Sequence, residues 1–197
     1  MLTHKGTVEL TTRGLRLRRF RREDAQEMFD AWANDERVTA FLSWTPHQRV
    51  ENTEALLDRW CGAYEQPDTY HWGIVYDGRL AGSMAVMNFS QRDENCEVGY
   101  CIAHDCWGQG ITAEALKEIL RFLFEEVGFH RVMAKHDTEN PNSGRVMQKG
   151  GMRPEGILRG FYKRHDGTFA DAQVYGITAE DWRELHERER KADSGHV

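Results

Sequence analysis

Leu15, Arg16, Leu17 and Arg18 alternate apolar and basic side chains, the period of a strand with one face in a core and the other in water. A few residues on, the period lengthens. Ala25, Met28, Phe29 and Trp32 recur at helical steps behind an acidic first turn, which predicts a helix. The run VTAFLSWTP interrupts it. A second helix is expected from Thr45 as cap and Pro46 at the first position, with Val50, Thr53, Leu57, Trp60 and Tyr64 on one face. From Tyr70 the period drops to two. YHWGIVYDGRLAGSMAVMNF reads as two strands joined at Asp77 and Gly78, a pair suited to tight hairpin turns, and CEVGYCIA as a third strand of an antiparallel meander. Leu116, Ile119, Leu120, Leu123 and Val127 mark a helix that stops at Gly128. RVMAKH is a short strand, residues 143–149 a short helix broken by GGMRPEG, and the rest a hairpin turned at Asp166 and Gly167 before the capped helix TAEDWRELHERERK. This order predicts an α/β layer protein on one mixed, mostly antiparallel sheet flanked by helices.

The 197 residues suit one domain over 1–197, with a core at about 8–182 and the end of the last helix plus a tail at 183–197. Apolar residues are 40% of the chain, without a run near the roughly 18 to 20 that a membrane span needs. MLTHKGTVEL lacks the pattern of a secretory signal, so the expected compartment is the cytoplasm, away from membranes. Cys61, Cys96, Cys101 and Cys106 form no CxxC pair and are expected as small buried side chains rather than metal ligands. Residues 1–22 hold seven basic side chains against Glu9, whereas the remaining chain carries a net −12. RGLRLRRFRRED admits an RNA-binding arm through Arg16, Arg18 and Arg21, but its alternation fits a half-buried strand with solvated arginines, and nucleic acid is not the expected partner. An acceptor drawn by overall charge would be basic.

CWGQGITAEAL places Gly108 and Gly110 between a strand ending near Ala103 and a helix start. Free N–H groups at such a terminus attract phosphate, and a residue without Cβ lets it approach the main chain. Two nucleotide patterns fail here. The P-loop needs a Lys-Ser/Thr pair where Ile111 and Thr112 stand, and the dinucleotide fingerprint needs glycine at Ala113. The stretch instead resembles the pyrophosphate loop of the GNAT superfamily of acyl-CoA-dependent N-acyltransferases, Gln/Arg-x-x-Gly-x-Gly/Ala, with departures at Trp107 and Thr112. WGQGI is similar to the Rim group, which acetylates N-termini of ribosomal proteins. ENPNSGRVMQKGGM resembles a second segment of that group at Asn140, Ser143, Val146, Lys149 and Gly151, with Met152 in place of phenylalanine.

The resemblance implies a GNAT-like sheet splayed at the cofactor site, acetyl-CoA as acyl donor, and transfer to an amine in a ternary complex. It implies that Trp107 belongs to the cofactor site and that backbone amides of Gly108, Gln109, Gly110, Ile111 and Thr112 contact the pyrophosphate. It implies pantetheine contacts from Tyr100, Cys101 and Ile102, a cofactor amide contact from Asn140, and a Ser143 hydroxyl near the CoA sulfur. Glu97 becomes the expected base, with Asp93 and Glu94 as rivals, and Phe41 and Trp44 border the acceptor; Tyr162 and Asp171 are read as structural. The acceptor is expected to be a protein N-terminus, because neutralising an α-amine at pH 7 costs roughly 3.5 kcal/mol less than neutralising a lysine. A small amine, a non-catalytic CoA sensor, an RNA-binding module and a homodimer remain open.

Overall fold

The computed structural model describes residues 1–194, with side chains through Arg188; positions 195–197 of the expected tail lie outside the described residues. The described residues form one eight-stranded sheet in the order β1-β2-β3-β4-β5-β6-β8-β7. The strands are β1 (Leu10–Thr11), β2 (Leu15–Arg18), β3 (His71–Tyr76), β4 (Arg79–Ser90), β5 (Asn95–Ile102), β6 (Arg131–Asp137), β7 (Arg153–Lys163) and β8 (Phe169–Thr178). The expected meander is β3 to β5. All neighbours are antiparallel except β5 and β6, and that join decides the architecture.

β5 and β6 pair only at Asn95↔Arg131, Cys96↔Val132 and Glu97↔Met133. Beyond Glu97, β5 stays with β4 as far as Gly82↔Ile102, while β6 stays with β8 as far as Asp137↔Ala172. The sheet therefore opens into a V with Glu97 at its vertex. A bulge at Met87 in β4, between Val86 and Asn88, adds local bend and twist beside the vertex. Gly99 makes room for it, since a Cβ there would come 3.0 Å from Met87 Cγ.

Helices cover both faces. On one, α4 (Ile111–Arg121) and α5 (Pro141–Lys149) pack Leu116, Ile119, Leu120 and Met147 against Trp72, Met84, Val98 and Val132. On the other, Arg22 to Ala33 winds as a 3-10 turn, α1 (Ala25–Met28) and a π turn, burying Met28 and Trp32 with Leu57 of α3 (Val50–Ala63) against Phe20, Val75 and Leu80. The short α2 (Glu36–Thr39) follows, and α6 (Ala179–Ser194) closes the chain.

Three local expectations change. The second helix starts at Val50 and not at Pro46, because the His47 N–H donates to Ala33 O at 2.8 Å and its Nδ1 meets Thr53 Oγ1 at 2.7 Å. α5 starts at Pro141, with Asn140 as cap. Arg18 is buried rather than solvated: its guanidinium grips Asp24 at 2.6 and 2.9 Å, while Arg19 Nε donates to Thr7 O and Arg22 pairs with Asp58. Much of the basic cluster is thus committed to holding the first strand and helix together.

His71 gives the fold a pH signature. Its ring is wedged between Trp60, at 3.9 Å, and Phe20, at 5.3 Å, and burial pushes its pKa down to about 4 from 6.5. A histidine held neutral in the folded state makes stability complete above pH 6.5 and lost as pH falls toward 4. About 1–3 kcal/mol of unfolding free energy should disappear across that window. Urea melts at pH 7 and pH 5 check this. His71→Phe, which keeps the packing, should flatten the slope, and an unchanged slope would contradict the assignment.

Candidate active site

Glu97 and Lys135 occupy the vertex. Lys135 is two residues past Met133, the pairing partner of Glu97, so strand alternation puts both side chains on one face of the sheet. Lys135 Nζ lies 2.9 Å from Glu97 Oε2, with side-chain exposures of 14% and 20%, which leaves Oε1 available. The ammonium also sits 4.4 Å above the ring of Phe161. That ring comes from a bulge in β7 between Leu158 and Tyr162, where Gly160, at φ 60°, donates its N–H to Asp171 Oδ1 at 2.8 Å. The β7–β8 hairpin thereby curls over the vertex. Asp171 is structural as expected, since it holds the bulge. Tyr162 stands closer to the chemistry than expected: burial, then the carboxylates of Glu97 and Asp137, push its phenol up to about 12. The rival bases are engaged elsewhere, Glu94 with the Met1 amino group at 2.6 Å and Asp93 with Ser90 Oγ at 2.8 Å.

Farther along the V, Tyr100 and Ser143 meet. Tyr100 Oη lies 2.9 Å from both the Ser143 carbonyl and the Ser143 hydroxyl. The carbonyl can only accept, so the single phenolic proton goes there and Ser143 Oγ donates to Tyr100 Oη. Burial raises the Tyr100 pKa and keeps it protonated. Asn140 caps α5, its Oδ1 accepting from the Ser143 N–H at 3.4 Å. Cys101 shares the sheet face of Glu97, with its sulfur 3.4 Å from Ser83 Oγ.

The glycine loop presents main chain. Gly108 and Gly110 take φ of 76° and 84°, and open space lies where a Cβ of either would stand. Neighbouring side chains turn back to brace the loop: Trp107 Nε1 donates to Ile102 O at 3.1 Å and Gln109 Nε2 to Asp105 O at 2.7 Å. The bond from Glu114 N–H to Gly110 O, 3.0 Å, closes the first turn of α4, so the amides of Ile111, Thr112 and Ala113 precede the helical ladder. Glu114 is drawn away from that end by the Gly14 N–H at 3.1 Å, which spares an incoming anion its charge. Thr112 is buried and serves packing. A glycine cradle with free amides at a helix N-terminus fits a pyrophosphate.

A family model for the acetyltransferase (GNAT) domain matches residues 14–153. The chain belongs to the GNAT acetyltransferase family. It is an acetyl-CoA-dependent N-acetyltransferase of that type, built as a single GNAT domain. Two similar curated proteins are the N-acetyltransferase YoaA of Bacillus subtilis, 29% identical over 85% of this chain and 95% of the relative, and the ribosomal protein uS5-alanine N-acetyltransferase of Escherichia coli, 28% identical over 89% and 93%. In fold it is similar to the ribosomal L7/L12 α-N-protein acetyltransferase RimL solved with coenzyme A, at TM-score 0.79 and 16% identity over 87% of this chain and 98% of that one.

A groove of about 720 Å³ lies beside α3. Its walls are the 43–48 segment, the exposed stripe Asn52, Ala55 and Arg59 of α3, and His165 from the β7–β8 hairpin. Trp44 lines it, whereas Phe41 is exposed outside the lining. Sequence reasoning missed Lys135, Phe161 and His165. A lysine in RVMAKH signals nothing until the parallel register with β5 is known.

Proposed function

We propose that this GNAT enzyme acetylates the N-terminal α-amino group of a protein or peptide, by direct attack in a ternary complex, in the cytoplasm. The observation that carries the reading is the V with Glu97 at its vertex, one carboxylate oxygen without a partner among the described residues, and the phosphate-fitting loop following the far end of β5. The E. coli relative named for an alanine N-terminus of a ribosomal protein supports the acceptor class. Among the described residues no helix is long and apolar enough to cross a membrane.

Acetyl-CoA supplies the activated acyl group. Amides of the 108–112 loop hold its diphosphate, backbone groups of Tyr100, Cys101 and Ile102 run beside its arm like an added strand, and Asn140 offers its amide NH₂. Glu97 Oε1 takes the proton that the amine loses, directly or through water. As the thiolate forms, the Ser143 hydroxyl turns its proton from Tyr100 Oη to the departing sulfur and takes the Tyr100 phenolic proton in its place, and solvent reprotonates Tyr100. Ser143→Ala should lower kcat about 10- to 100-fold with little change in CoA affinity, and a wild-type single-turnover rate would remove Ser143 from this role. The acceptor class is tested by CoA release with a library of short peptides beside a panel of small amines. Turnover confined to small amines would overturn it.

A further inference from the structure

A cation stands where the acceptor's own positive charge would have to arrive. Groups facing Glu97 are Lys135 from β6 and, from the curled β7, Phe161 and Tyr162. Asp137 is turned into an ion pair with Arg164 at 3.0 Å. Lys135 thus cancels the Glu97 carboxylate, and Phe161 covers the ammonium, adding a cation–π contact that keeps it in place. The separate groove beside α3 is lined by Arg59 and two histidines, His47 and His165, with no carboxylate among its described lining residues. Burial holds His47 toward its neutral form, so Arg59 is the fixed charge there. Although residues 23–197 carry a net −12, the base itself is paired with a cation.

We infer that Lys135 is a specificity residue which, by neutralising Glu97 at the vertex under the Phe161 ring, makes the enzyme select amines that arrive uncharged and reject lysine side chains and polyamines. An ammonium is drawn to an uncompensated carboxylate and gains nothing from a compensated one. At pH 8 an α-amine is about half neutral, whereas a lysine is neutral in roughly one molecule in 250. Compensation removes the ground-state attraction that would offset this difference. The inference rests on the amine-acetylation reading above and narrows its acceptor class.

The test compares KM at about pH 8, under saturating acetyl-CoA, for three acceptors: a lysine-free peptide with a free α-amine, an Nα-blocked peptide with one lysine, and a linear polyamine. Lys135→Met should lower KM for the two strongly basic acceptors about tenfold while moving the α-amine peptide less than about threefold, and Lys135→Arg should restore the wild-type ratio. A Lys135→Met that shifts all three alike, or none, overturns the inference. Should that variant fail to fold, Lys135→Gln should lower the polyamine KM in the same direction, and no change there overturns it equally. Absence of wild-type turnover on the α-amine peptide would instead sink the acceptor reading itself.

Discussion

Glu97→Gln is expected to lower kcat by about 10²- to 10⁴-fold while the CoA dissociation constant stays within about twofold. The substitution keeps the shape of the side chain and leaves Lys135 a carbonyl oxygen to meet, but removes the acceptor for the amine's proton. The pyrophosphate cradle at 108–112 and the Tyr100–Ser143 pair lie elsewhere along the V, so donor binding should persist. Assays at rising pH give a second readout, because an amine that arrives uncharged sheds its proton only as it attacks the carbonyl. The gap between wild type and variant should therefore persist toward pH 9 for an α-amine acceptor. Equal rates at pH 7 would remove Glu97 from the chemistry.

Gly82→Ala should be the most damaging single-methyl change in the sheet. Gly82 pairs with Ile102 where β4 supports the free edge of β5, and a Cβ there would fall inside the envelope of the Cys101 carbonyl oxygen, 3.0 Å from Ile102 Cα. Backbone cannot yield as a side-chain tip can, so the strands must part. Overpacking of this kind costs about 1–3 kcal/mol or more, which for a chain of this length lowers Tm by about 2–12 °C. The displaced strand is the one expected to run beside the pantetheine arm, so KM for acetyl-CoA should rise severalfold as well. Thermal melts and donor saturation curves check both; an unshifted Tm would mean the pair relaxes freely.

Much of this molecule was legible along the chain because its signals are local. Period-two runs with Asp77–Gly78 and Asp166–Gly167 mark two hairpins, and the 3.6-period apolar stripe from Leu116 onward marks α4. The join that makes the site is not local. β5 and β6 touch over three residue pairs across an intervening helix, so neither the V nor the Glu97–Lys135 contact leaves a trace in either segment alone. Tyr100 was legible only as backbone beside a cofactor, because the partner of its hydroxyl lies 43 positions away. Pro46 and Arg18 misled for a related reason. Pro46 has the chemistry of a helix start and Arg18 that of a solvated strand face, yet Ala33 O claims the next amide and Asp24 draws the guanidinium inward. The departure at Trp107 has a physical reading as well, since its indole N–H braces the Ile102 carbonyl while main chain faces the loop opening.

The most direct measurement uses one peptide that carries both a free α-amine and one internal lysine, incubated with acetyl-CoA and the enzyme and sequenced by tandem mass spectrometry. A single acetyl group on the α-nitrogen, absent with Glu97→Gln over the same interval, is the predicted result. Acetyl on the lysine with the α-amine untouched would contradict the account.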